Sequence, residues 1–142
     1  MENLQEYLNS RLFDFYKKYN VKAHLNAYRD REIMRQWKRD SQNIQQEWQN
    51  VKSLSDVEKA LNWFIGTVEQ YENIRGVFSD AYDMDLALFK ATNAIQKMAQ
   101  CYDYEKFDFN KCDKNGIDKL FEKLYKGLDK MSNVNMRRAM QD

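Results

Sequence analysis

The sequence predicts an all-α protein, a single-domain bundle of about five helices with one long basic amphipathic helix. The 142 residues include no proline and only four glycines, so little interrupts a long helix and little forms a hairpin turn. Apolar residues recur at spacings of three and four in every long segment, as they do on one face of an α-helix. The length suits one domain with its own core, so we expect residues 1–142 to form a single helical domain.

The first two predicted helices are separated by a break over residues 20–26. The first helix is expected over residues 4–19, and its inward face carries Leu4, Leu8, Leu12, Phe15 and Tyr19. The second is expected within residues 28–51, and its inward stripe carries Met34, Trp37, Ile44, Trp48 and Val51. Five basic residues lie in the first half of this second segment and glutamines lie in its second half.

The third predicted helix begins with a recognisable N-terminal signal. Ser55 followed by Glu58 has the spacing of a capping box, in which each side chain bonds a backbone N–H group left open at the helix start. The inward stripe that follows is Val57, Leu61, Phe64, Val68 and Tyr71. Trp63 and Ile74 lie on a different face, which predicts either a central helix or an exposed apolar patch.

The last two helices are expected on either side of a loop over residues 101–116, with a turn near Gly76 and Ser79 before them. The fourth carries the stripe Met84, Leu88, Ala91, Ile95, Met98 and Tyr102. The fifth carries Ile117, Leu120, Leu124, Leu128 and Met131. Residues 132–142 are expected to form a C-terminal tail that frays or docks.

The composition bounds the classes of function. With 43% hydrophobic and 32% charged residues, the chain is expected to be neither disordered nor membrane-spanning. The N-terminus lacks the basic start and apolar stretch of a signal peptide, so we expect a cytoplasmic location. The net charge of +1 divides into +3 over residues 1–52, −5 over 53–110 and +3 over 111–142. This balance predicts no whole-molecule attraction to nucleic acid, although it permits a local basic face.

Side chains that carry common enzyme chemistry are scarce. His24 is the single histidine, so neither a paired Glu-x-x-His di-iron site nor a histidine-based nucleophile arrangement is indicated. Cys101 and Cys112 lie eleven residues apart, without the clustered Cys and His ligands of structural zinc. We therefore expect a protein that is not an enzyme, with no catalytic residue, no metal site and no cofactor.

One set of carboxylates points to a different function. Glu69 and Glu72 form one i, i+3 pair, Asp80 and Asp83 form another, and Asp85 lies nearby. Such pairs on facing helices can hold Mg²⁺ against the phosphates of a nucleotide. Over these fifteen residues the pattern resembles the ExxE…ExxD motif of all-helical nucleoside triphosphate pyrophosphohydrolases. The resemblance implies Mg²⁺-dependent hydrolysis, but acidic pairs at this spacing are also common on solvated helix faces.

The second helix carries the main candidate binding surface, which we call the basic face. On a helical wheel it lies largely opposite the apolar stripe, and arginines follow one another at i, i+4 and i+8. Its members are Arg31, Arg35, Lys38, Arg39, Gln42 and Gln46. Like charges at this spacing repel each other, so either the acidic middle segment neutralises them or an acidic partner does. Glu69, Glu72, Asp80 and Asp83 are the candidates for internal neutralisation.

These observations favour a non-catalytic small helical binding protein that docks on a larger macromolecule. An accessory, inhibitory or assembly protein would fit, and the bias towards Lys, Asn, Asp, Tyr and Phe is typical of AT-rich phages and mobile elements. A helical nucleic-acid-binding subunit is the second reading. A protein partner is favoured over nucleic acid because Trp37 and Trp48 are predicted to point inward, away from the arginines, where no base could stack on them. A homodimer is compatible with the same stripes.

Overall fold

The computed structural model describes residues 4–19, 31–47, 50–71, 78–100 and 113–141. These residues form five α-helices and no strand, which confirms the predicted all-α bundle. The helices are α1 (Leu4–Lys18), α2 (Arg31–Glu47), α3 (Leu54–Tyr71), α4 (Phe78–Gln100) and α5 (Lys114–Gln141). None of the described helices is long and apolar enough to span a bilayer. Predictions for residues 20–26, His24, Trp48, Glu72, Ile74, Gly76, Cys101, Tyr102 and Cys112 lie outside the described residues.

Helix α4 lies at the centre of the bundle and contacts all four other helices. Its closest neighbour is α3, and α3 also packs along α5. The apolar stripes predicted for these helices form the core, because a face with a period of 3.6 residues can be buried along its whole length. Side chains that are wholly or almost wholly excluded from solvent include Phe15, Leu61, Phe64, Leu88, Ile95, Phe121 and Leu124.

In the described structure, α3 and α5 each begin with a side-chain cap. Both helices begin at positions other than those predicted. The capping box of α3 uses Ser53 and Asp56, so its predicted assignment to Ser55 and Glu58 is wrong by two residues. The Asp56 N–H donates to Ser53 Oγ (3.4 Å), and Asp56 Oδ2 accepts from the backbone N–H of Lys52 (2.9 Å). Ser55 cannot be the cap, because the N–H groups that follow it already bond the Ser53 carbonyl.

Helix α5 begins earlier and continues further than the sequence suggested. Asp113 Oδ1 accepts the N–H of Gly116 (2.8 Å), which makes Asp113 the N-cap. Gly116 therefore lies in the first helical turn and not in a preceding loop. At the other end the helix runs to Gln141, and Met131 and Val134 are buried in the core. Within α4, Ser79 is also helical.

Helix α2 is the most peripheral of the helices in its packing and contacts mainly α4. Ile44 is buried, but Trp37 is only half-buried and Met34 is 50% exposed. The inward stripe predicted for this helix is therefore wrong at Met34. Three residues correspond to about 300° of rotation, so Met34 lies about 60° from Trp37 around the helix axis. The surface that α4 offers to α2 is too narrow to cover the side chains of both Met34 and Trp37.

Candidate functional site

The described members of the basic face point away from α4 into solvent. Arg35, Lys38 and Arg39 are all exposed, and so are Gln42 and Gln46 further along the same helix. Arg31 lies at the first residue of α2, and its side chain is outside the described set. Ile44 and Trp37 on the opposite side hold α2 against the bundle. The predicted division of α2 into an apolar side and a basic side is therefore present in the structure.

Two of the carboxylates considered for internal neutralisation, Glu69 and Asp83, have other partners. Glu69 forms a 2.6 Å ion pair with Lys130 of α5, and Asp83 accepts a 2.8 Å hydrogen bond from the Tyr71 hydroxyl. Asp80 lies in α4, and its side chain is not among those described. Within the described parts of the chain, no ion pair or side-chain hydrogen bond reaches Arg35, Lys38 or Arg39.

An aromatic cluster fixes α2 to α4. The Trp37 ring packs edge-on against Tyr82 at 5.9 Å and against Phe89 at 5.2 Å between ring centroids. The Tyr82 hydroxyl donates a 2.5 Å hydrogen bond to Asp40 of α2. Burial and this carboxylate together raise the pKa of Tyr82 above its ordinary value, because both disfavour the phenolate. Trp37 thus serves as an anchor between helices and is not a stacking platform beside the arginines.

A groove that the sequence analysis did not identify runs between α2 and α3. Its floor is α4, including Leu86 and Ala87, and Ile44 of α2 lies on one side of it. Trp63 of α3 is 63% exposed and borders two adjoining hollows of about 260 and 590 Å³. We call this feature the Trp63 groove. The signal for it was Trp63 itself, an aromatic residue off the buried stripe. The structure shows that the Trp63 side chain is exposed, although α3 packs on both α4 and α5.

Three of the carboxylates that resembled a Mg²⁺ site, Glu69, Asp83 and Asp85, have different surroundings in the described structure. Hydrogen bonding and charge from Lys130 lower the pKa of Glu69, while Asp83 bonds Tyr71. Asp85 is 2% exposed, and its charge contributes to a raised pKa of Tyr19, for which burial is the larger cause. Among the described residues, no group of three or more His, Cys, Asp or Glu side chains is placed to hold a metal ion.

The fold and this surface define a class: an all-α bundle with an exposed basic helix beside an apolar groove. Comparison of the chain with protein-family models, curated proteins and solved structures finds no significant match.

Proposed function

We propose that this protein is a non-catalytic binding protein that docks on a larger protein through the basic face of α2. The observation that carries the proposal is the set of three exposed cations, Arg35, Lys38 and Arg39, which have no ion-pair partner in the described structure. Arg35 and Arg39 lie one helical turn apart, where like charges destabilise a helix by a few tenths of a kcal/mol. Acidic side chains of a partner would remove that repulsion.

Several features favour a protein partner over nucleic acid. Trp37 is packed between Tyr82 and Phe89, so the basic face offers no aromatic ring on which a base could stack. Glu32, near the start of the same helix, is an exposed carboxylate and would repel a phosphate backbone that extended past the cations. Arginine forms planar two-bond contacts with carboxylates, so a compact acidic patch on a protein suits the face.

The half-exposed Met34 adds an apolar contact beside the cations. Methionine is flexible and polarizable, and it is common on surfaces that bind other proteins. The glutamines that continue the face can donate to and accept from backbone groups of the partner. An accessory, inhibitory or assembly role, in which a small rigid bundle covers part of a larger protein, would use such a surface.

The test is a double charge reversal on the basic face with a matched reversal elsewhere. Arg35→Glu/Arg39→Glu should weaken capture of the native partner from cell lysate at least tenfold and leave the helical circular dichroism unchanged. Lys119→Glu/Lys126→Glu makes the same charge change on exposed positions of α5 and should leave capture intact. Capture that survives nuclease treatment would support a protein partner.

Three results would contradict the proposal. Equal loss of capture in both double variants would indicate a nonspecific effect of net charge. Loss of all captured material on nuclease treatment would indicate nucleic acid, for which the log–log salt slope should become shallower by about 0.7 to 0.9 per lost phosphate contact. A lower melting temperature with unchanged capture would indicate that the arginines stabilise the bundle itself.

A further inference from the structure

We propose that Asn115, in the first turn of α5, is a site of spontaneous deamidation, and that the Asp113 cap of this helix controls the rate of the reaction. Water is the co-reactant. The reaction converts the Asn115 amide into a carboxylate, as either aspartate or isoaspartate. The inference is independent of the proposed function, because it concerns the start of α5 and not the basic face of α2.

The sequence around Asn115 favours the reaction. Asn115 and Gly116 form the only Asn–Gly pair in the chain. Deamidation requires the backbone nitrogen of the following residue to reach the side-chain carbonyl carbon, and glycine hinders this approach least because it has no Cβ. The other exposed asparagines of the described structure are each followed by a residue with a side chain; they are Asn9, Asn43, Asn50, Asn62 and Asn133. We therefore expect Asn115 to react before them.

The Asn115 side chain is also accessible. It is exposed, and its amide has no hydrogen-bond partner among the described residues. Lys114, which precedes it, is exposed as well. Water can therefore reach the amide, and ammonia can leave, without displacing any part of the core.

Each step of the reaction balances. The Gly116 backbone nitrogen loses its proton to solvent and attacks Cγ of Asn115. A bond forms between these two atoms, the bond from Cγ to Nδ2 breaks, and Nδ2 takes a proton from solvent and leaves as ammonia. Water then adds to one of the two carbonyl carbons of the cyclic imide and opens the ring to aspartate or isoaspartate. Nothing is oxidised or reduced.

The folded start of α5 opposes the attack at the nucleophile. The Gly116 N–H donates to Asp113 Oδ1 at 2.8 Å, so this nitrogen is held by the cap. The N–H of Ile117 donates to the Asp113 carbonyl at 3.1 Å, and the Ile117 side chain is buried. In a helix the Asn115 side chain also leans towards the N-terminus, away from the nitrogen that follows it. The reaction therefore requires local openings of the first turn in which the cap is broken.

The two products should affect α5 in opposite directions. The first turn of α5 contains no acidic residue, and an aspartate there would interact favourably with the positive end of the helix dipole. Isoaspartate carries the main chain through the former side chain and lengthens the backbone, which breaks the spacing at which Asp113 caps Gly116.

The start of α5 also holds α1. The Lys114 ammonium lies 5.0 Å from the centroid of the Tyr7 ring, and the Tyr7 hydroxyl donates a hydrogen bond to Asp118. Isoaspartate at position 115 should therefore loosen the attachment of α1 as well as the first turn of α5.

Incubation of the purified full chain at neutral pH, followed by peptide mass spectrometry, measures the conversion at each asparagine. Asn115 should convert first. Asp113→Ala should accelerate its conversion about fivefold, because loss of the cap increases the open population by about that factor, whereas Asp113→Asn keeps a cap and should retain the parent rate. Circular dichroism at the incubation temperature should show both variants fully folded, so that the rates compare local openings.

Gly116→Ala tests the nucleophile. The added Cβ would lie 3.4 Å from Asp113 Oδ1 and 3.6 Å from Leu54 Cδ2, which are ordinary contact distances, so the variant should fold. Its methyl group hinders the attack and should slow conversion of Asn115 about tenfold. For the products, the isolated isoaspartate form should melt below the parent and exchange amide hydrogens faster in α1, whereas Asn115→Asp should melt no lower than the parent.

Several outcomes would overturn the inference. Earlier conversion of another asparagine, or an unchanged rate in Gly116→Ala, would exclude Asn115 as the site. An unchanged rate in Asp113→Ala would show that the cap does not control the reaction. A slower rate in that variant would show that Asp113 acts as a base on the Gly116 N–H, which is the reverse of the protection proposed.

Discussion

Two glycines inside helices should respond oppositely to the same substitution. At Gly66 of α3, an added Cβ would have no heavy atom within 4 Å. At Gly127 of α5, it would lie 2.5 Å from Cε2 and 2.8 Å from Cδ2 of Phe64. The Phe64 ring is fully buried, so neighbouring core side chains oppose its displacement. Gly127 therefore permits α5 to approach the ring closely, whereas Gly66 has no such role in packing.

The expected magnitudes follow from two effects. Replacing glycine by alanine in a helix interior stabilises it by about 1 kcal/mol, because alanine loses less backbone entropy on folding. Gly66→Ala should show this gain alone. At Gly127, overpacking costs up to about 3 kcal/mol, since the ring must move roughly 1 Å to restore normal contact distances. Gly127→Ala should thus be destabilised by about 2 kcal/mol after the propensity gain of about 1 kcal/mol is included.

Chemical and thermal unfolding followed by circular dichroism would measure both effects. At roughly 3 °C per kcal/mol for a chain of this size, Gly66→Ala should melt about 3 °C higher and Gly127→Ala about 6 °C lower. Phe64→Leu supplies the control, because a smaller side chain should remove most of the additional cost of Gly127→Ala in the double variant. A Gly127→Ala variant as stable as the parent, or strictly additive effects with Phe64→Leu, would refute the packing argument.

Three further predictions test the caps and the titrating groups. Ser53→Ala should lower the free energy of unfolding by about 1 kcal/mol, and Ser55→Ala should change it little; the reverse order in urea titrations would place the cap at Ser55. Tyr82 has a raised pKa in the folded state, so its contribution to stability should be constant up to about pH 10 and fall as pH rises further. Phenolate absorbance should rise together with loss of helix, and Tyr82→Phe should reduce this alkaline loss; an unchanged loss would exclude Tyr82 as its source. Lys130 lowers the pKa of Glu69, so carboxyl NMR should show this pKa rise towards its ordinary value in Lys130→Met, whereas no change would contradict the ion pair.

The helical class and most core residues could be predicted because each stripe is a property of one helix. Leu61, Phe64, Leu88 and Leu124 recur with the helical period, and the structure buries all four. Met34 shows the limit of this reasoning, because a wheel gives the direction of a side chain but not the width of the neighbouring surface. The cap of α3 was predicted wrongly because two overlapping serine–acid pairs, Ser53 with Asp56 and Ser55 with Glu58, compete at the same helix start.

The candidate site could be predicted only in part for a related reason. The solvent-facing position of Arg35, Lys38 and Arg39 follows from their place on one helix. The pairing of Glu69 with Lys130 joins residues 61 positions apart, and no local pattern specifies it. The Trp63 groove is a space between three helices, so it depends on how far apart α2 and α3 lie on α4. In the sequence, only the position of Trp63 off the apolar stripe of α3 indicated that such a space existed.

The attachment of α2 mainly to α4 has a consequence for how the molecule opens. Local unfolding of a helix costs less free energy when fewer buried contacts are lost, so α2 should exchange its amide hydrogens through openings that leave the α3–α4–α5 core intact. Trp37 and Ile44 would be the contacts broken in that opening. A partner that binds the basic face would restrain the least protected helix of the bundle. Slower hydrogen exchange in α2 would then report occupancy of the surface, even where the backbone structure remains the same.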